Sequence, residues 1–300
     1  LLTEQFRLLA RSAIAEDRAQ AYRALAELAG HHLTLGDYRT AGVLAGKWLS
    51  GLHSDTFEAS ADDSASVDMV AEALEHAGRL DEATDLRLAL LRAVRAFYEA
   101  APTDAARADL RLDLQSAADA VEKRDGPDAA EGLWRENLFL AAETFERTAT
   151  PAARTSFAIA MFDLGRNRFE AGDITAALPL LGDAAELQAD IMARAGPGDD
   201  DAPQAPLLLA RMRLLRGQAL LRSEGLDAAR GEFDAALALV RESGDWLPER
   251  AAMLVATGEW DVKKMANVEE LPPKPFINLL NKIGLPTRIQ DEEGDRAVEF

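Results

Sequence analysis

The chain has 300 residues, of which 48% are apolar and none is cysteine, and its 33 basic and 52 acidic residues give a net charge of −19. The apolar content suffices for a large core, in one or two globular domains or in one long repeat array, while the lack of cysteine excludes a disulfide framework, a thiolate metal site and a cysteine nucleophile. So acidic a surface repels phosphate backbones and anionic membranes and favours a basic peptide or protein face; it also keeps an Ala-rich chain in solution.

At the start, Leu1 to Arg7 lack the basic residues and apolar centre of a signal peptide. No initiating Met is present, so the expected origin is a fragment of a longer protein. Phe6 to Ile14 reads as an apolar helix, and residues 1–16 are expected to form a cap or half of a truncated repeat. Ala and Leu dominate the composition, which favours helix because these side chains lose little freedom there. No apolar run reaches the roughly 18 residues of a membrane span, and the expected compartment is the cytoplasm.

From residue 17 to about 265 one phrase recurs: an apolar helix, a Gly-polar turn, then an Ala opening another apolar helix. It reads Leu35-Gly36-Asp37-Tyr38-Arg39-Thr40-Ala41, then Ala77-Gly78-Arg79-Leu80-Asp81-Glu82-Ala83, then Ala171-Gly172-Asp173-Ile174-Thr175-Ala176-Ala177. Looser copies run from Arg124 to Ala130 and from Ser223 to Ala229, and a degenerate one from Thr257 to Lys263. The Gly suits a left-handed C-terminal cap. The polar residue after it suits the start of the second helix, and the Ala suits a close helix crossing.

The flanking residues carry a resemblance. Leu164-Gly165 precedes Ala177, Leu181 and Ala184; Gly217 and Leu220 precede Ala229, Phe233 and Ala236; Ala29 precedes Ala41, Ala45 and Trp48; Ala118 and Val121 precede Ala130 and Trp134. This resembles the tetratricopeptide repeat (TPR) family, which pairs Leu-Gly in a first helix with Ala-x-x-x-aromatic in the second. The resemblance implies an all-α fold, a right-handed α-solenoid of about five to six antiparallel helical hairpins. The spacings depart from the family: 42, 47, 47 and 52 residues separate Ala41, Ala83, Ala130, Ala177 and Ala229, against a usual period of about 34. A long-helix variant is therefore expected, with extra residues in segments such as His53 to Ser66 and Gly196 to Pro206.

Near residue 260 the composition shifts, and four of six lysines lie in the last 38 residues. Leu271-Pro272-Pro273-Lys274-Pro275-Phe276 breaks any helix. Beyond it come a short amphipathic helix over Ile277 to Ile283 and an acidic tail. Three roles fit residues 266–300: a cap on the last hairpin, a linker to a further domain, or a peptide that docks in a groove.

Patterns that could carry chemistry read as structural. Gly42-Val43-Leu44-Ala45-Gly46-Lys47-Trp48 fails the spacing of a phosphate loop, has Trp where Ser or Thr would hold magnesium, and lies inside an expected helix. His31 and His32, adjacent on a helix, point about 100° apart and cannot readily share a metal. Asp199-Asp200-Asp201 lacks the alternating oxygens and closing Glu of a calcium loop. The four Trp, at 48, 134, 246 and 260, read as packing residues. No enzyme, cofactor or metal is expected.

In the TPR family the first helices of successive hairpins line a concave surface. Here those helices are expected near Tyr22 to Leu35, Ser64 to Ala77, Arg111 to Arg124, Ala158 to Ala171 and Ala210 to Ser223. Helical periodicity puts Asp68, Glu72, Glu75, Asp119, Glu122, Phe162, Arg166, Phe169, Arg211, Gln218 and Arg222 on the groove side. Carboxylates dominate the earlier part of that set, Arg and aromatic groups the later part. The expected function is a scaffold that binds a protein or peptide, with a basic segment as the favoured ligand and self-association compatible with the pattern. The alternative is a sensor or regulatory repeat domain of a larger signalling protein such as an ATPase, a protease or a transcriptional activator. Nucleic acid and membrane are not expected partners.

Overall fold

The computed structural model describes residues 15–53, 64–194 and 205–242. Those residues form ten α-helices and no strand: α1 (Ala15–Thr34), α2 (Tyr38–His53), α3 (Ser64–His76), α4 (Leu80–Ala100), α5 (Asp104–Asp125), α6 (Pro127–Thr148), α7 (Pro151–Glu170), α8 (Ile174–Arg194), α9 (Ala205–Ser223) and α10 (Leu226–Glu242). They pair in sequence as helical hairpins, each turn being one copy of the repeated phrase. The chain divides into two compact units, Leu1–Arg147 and Thr148–Phe300. The helix expected over Phe6 to Ile14, the Asp199–Asp201 run, the Thr257 phrase and the C-terminal segment lie outside the described residues. No described helix is long and apolar enough to cross a membrane.

The turn glycines have the conformation the phrase demands. Gly36, Gly78, Gly126, Gly172 and Gly225 all have φ between 73° and 95°. At Gly172 the geometry is complete: its N–H donates to Phe169 O, and Asp173 N–H donates to Arg168 O, which satisfies two carbonyls at the end of α7. Asp173 then caps α8 by accepting from Ala176 N–H at 3.1 Å, and Asp37 does the same for Thr40 N–H at 3.2 Å.

The repeated alanines are where helices touch. Ala41, Ala83, Ala130, Ala177 and Ala229 are wholly buried. The aromatic four residues beyond such an Ala, or seven at Ala41, becomes the knob of the hairpin: Trp48, Trp134 and Phe233 are all at most 1% exposed. Elsewhere a glycine is the hole for a large side chain of the same hairpin. A Cβ on Gly165 would lie 2.9 Å from Leu181 Cδ2, and one on Gly51 only 2.1 Å from the Tyr22 ring. The run from Gly42 to Trp48 lies within α2, and Gly42 and Gly46 abut Ala77 and Arg79 of the next hairpin. Those glycines are contact surfaces between hairpins.

Four first helices begin earlier than their periodicity suggests. α5 starts at Asp104 because Thr103 accepts from Ala106 N–H, and α7 starts at Pro151 because Thr150 accepts from Ala153 N–H. Pro151 supplies the fixed φ of a first helical position, where no N–H partner is required. α1 and α9 likewise start at Ala15 and Ala205.

Candidate functional site: a groove on the first helices

In the first unit, side chains three and four apart along α3 and α5 face one another across a groove of about 690 Å³. α3 contributes Asp68, Glu72, Glu75 and His76; α5 contributes Leu112, Gln115, Ser116, Asp119 and Lys123. Leu80 and Arg87 of α4 complete the lining, with Ser64 at one end. A second cavity of about 560 Å³ lies between α1 and α3, with Met69, Leu33 and Tyr38 in its wall. Glu72 and His76 border both, so the two cavities adjoin along α3. The Tyr38 and His76 rings are stacked at 4.4 Å and 12°.

The groove holds four carboxylates against two permanent cations. Glu75 is held on both sides, by Arg87 Nη1 at 2.9 Å and by Lys123 Nζ at 2.8 Å. Arg87 is tucked in and also donates to Ser116 O at 3.3 Å, whereas Lys123 is 53% exposed. Asp68 is half-buried, and its Oδ1 is shielded from solvent without a hydrogen-bond partner. Burial pushes the Asp68 carboxyl above its usual range; Arg87 pulls it back, and Glu72, one turn on, adds to the rise. Beneath it, buried Asp113 accepts from Ser64 Oγ at 3.1 Å. Burial raises Asp113 to about 6, the Ser64 hydrogen bond opposes the rise, and Asp68 and Asp109 reinforce it.

Asp68, Glu72, Glu75 and Asp119 of the expected site residues therefore lie together on this groove. Glu122 does not line it. One residue before Lys123, it is rotated about 100° around α5 and accepts from the Trp134 indole N–H of α6 at 2.8 Å.

The remaining expected residues belong to the second unit. Phe169 is buried against Ala177, Leu181 and Ala219, with Phe162 packed on the same cluster, so both aromatics serve the core. The Arg222 guanidinium sits 4.1 Å above the Phe169 ring centroid. Arg166 pairs with Glu170 at 3.7 Å. Arg211 is exposed and Gln218 half-buried.

Sequence periodicity missed Arg87, Lys123, Met69 and Tyr38. Only Lys123 carried a signal, as one of two lysines before residue 260 in a stretch otherwise supplied with Arg. Among the described residues no group of three or more His, Asp or Glu is placed to hold a metal.

No protein-family model matches the sequence, and no curated protein matches it. Solved structures do. BtubC (BKLC) from P. vanneervenii is 19% identical, with 91% of this chain and 95% of that one covered and a TM-score of 0.50. A putative kinesin light chain from Podosopora anserina, with nearly identical TPR-like repeats, is 18% identical over 75% of this chain and 97% of its own, at a TM-score of 0.52. The apo form of RapI is 11% identical over 94% and 73%, at 0.57. The likeness lies in the architecture, and with the hairpins, turn glycines and buried alanines it makes this chain a TPR-like helical-repeat protein in fold.

Proposed function

We propose that the chain is a scaffold for a protein or peptide partner, held on the first-helix faces of the repeat array that spans residues 17–265. The observation that supports this most is the pair of adjoining cavities on α1, α3 and α5, which joins a carboxylate-rich lining to an apolar wall at the edge of the core. Peptide recognition needs a concave surface with a few fixed polar groups and some apolar lining. Leu80 and Leu112, both exposed, supply the apolar part, and the excess of carboxylates favours a basic segment in the ligand. The reading takes the cytoplasm as its setting.

Peptide-display selection on the full chain tests it. Selected peptides should be enriched in Lys and Arg and should lose about tenfold or more in affinity to Glu72→Lys and Asp119→Lys variants, because each reversal sets like charges together. Unchanged affinity in both variants would overturn the assignment of the groove. Sedimentation of the free chain reports whether the same faces join two copies.

A further inference from the structure

We infer that the groove reads a bipartite motif, a Lys or Arg beside an apolar or aromatic residue, and that Lys123 holds the cation position until the ligand's own cation displaces it. The inference rests on the groove reading above and specifies its ligand.

The cation position follows from the carboxylates. Glu75 lies between a tucked-in guanidinium and an exposed ammonium. Arg87 has a second anchor on the Ser116 carbonyl, so it stays. Lys123 reaches 48 residues along the chain, from α5 to α3, and remains largely in water. Such an exposed pair is worth little, because solvent screens it and the long side chain loses freedom in making it. An incoming guanidinium can therefore replace it at small cost and can meet what Lys123 leaves unpaired. On the same helix, two turns from Glu75, the shielded Asp68 Oδ1 has no hydrogen-bond partner. Glu72 lies between them in sequence, 3.9 Å from His76. A planar donor with five N–H groups can bridge Glu72 and Glu75, one turn apart, better than a single ammonium can, while the shielded Asp68 contributes its charge rather than a contact.

The apolar position follows from the adjoining cavity. Its wall holds Leu33, Met69 and the stacked Tyr38–His76 pair. Gly30 keeps it open: an added Cβ there would stand 2.6 Å from Met69 Sδ, so a larger residue would drive the thioether into the space. Since Glu72 and His76 border both cavities, one peptide turning over α3 can place a side chain in each.

The test uses fluorescence anisotropy of the full chain with dye-labelled Gly/Ser peptides carrying a central Phe-Arg, Ser-Arg or Phe-Glu pair, with thermal melts to verify that every variant is folded. Phe-Arg should bind best. Lys123→Met should raise its affinity about threefold to fivefold, the size expected when an exposed ion pair no longer competes. Asp68→Asn should weaken both Arg peptides, and Gly30→Ala should remove only the advantage of Phe-Arg over Ser-Arg. Unchanged or weaker Phe-Arg binding in Lys123→Met, with the Asp68→Asn loss intact, overturns the latch and spares the groove. No preference for Phe-Arg over the other two overturns the motif. Binding indifferent to Asp68→Asn and to Glu72→Lys alike overturns the groove reading itself.

Discussion

Phe233 of α10 puts its ring edge where Gly217 of α9 has no side chain: a Cβ on Gly217 would lie 2.6 Å from Phe233 Cε1. The ring is wholly buried and cannot swing aside. Gly217→Ala should therefore destabilise the hairpin by about 1–2 kcal/mol net, since overpacking costs more than the helix-propensity gain of roughly 1 kcal/mol returns. Gly231 on α10 is the internal control, because a Cβ there meets nothing within 4 Å. Gly231→Ala should stabilise by about 0.5–1 kcal/mol. Denaturant melts of the two variants should move in opposite directions.

Asp113 should make stability depend on mild acidity. Its carboxyl titrates near 6 in the folded chain, against an ordinary value of 3.8. Between these values the folded state binds a proton that the unfolded state lacks, so stability falls as pH rises from about 4 to 6 and is flat above. The loss is at most about 3 kcal/mol. Asp113→Asn should flatten that stretch of the profile and leave the chain more stable at pH 7, provided the amide oxygen keeps the Ser64 hydrogen bond. A slope unchanged in the variant would show that another group sets it.

Two N-terminal caps give a simpler test. Thr103→Ala and Thr150→Ala each remove a side-chain acceptor from an exposed helix start. Each should cost about 1 kcal/mol, and with no shared partner the double variant should show their sum within about 0.5 kcal/mol.

Glu122 and Glu72 should separate stability from binding. Glu122→Lys puts an ammonium against the Trp134 indole N–H and should cost about 1–3 kcal/mol in a thermal melt, with little change in peptide affinity at the groove. Glu72 is exposed and paired only loosely with His76. Glu72→Lys should do the reverse, and the two assays on the two variants form the complete comparison.

The hairpin architecture was legible because its demands fall on residue types that leave a mark. Gly at positive φ and Ala at a helix crossing are steric requirements, and Gly172 and Ala177 meet them at a fixed spacing. Half of the groove was legible for a related reason: Asp68, Glu72 and Glu75 share one face of one helix. The part that resisted was pairing across helices. Nothing local to Lys123 says that it reaches Glu75, and a single step of helical phase separates Lys123 on the groove from Glu122 against Trp134. Phe162 and Phe169 misled for the opposite reason. On α7 apolar residues occur nearly all round, so periodicity could not tell a lining aromatic from a core one.

The knob-and-hole pairs differ from hairpin to hairpin: Tyr22 fills the space over Gly51, Leu181 that over Gly165, and Phe233 that over Gly217. Identical repeats can dock on the wrong neighbour at no energetic cost. Here a leucine offered to the hole meant for a phenylalanine leaves a void, and a phenylalanine offered to the leucine's hole collides. The mismatched sizes work as addresses: each helix recognises its own partner during folding, and a repetitive chain is spared many of the register errors that repetition invites.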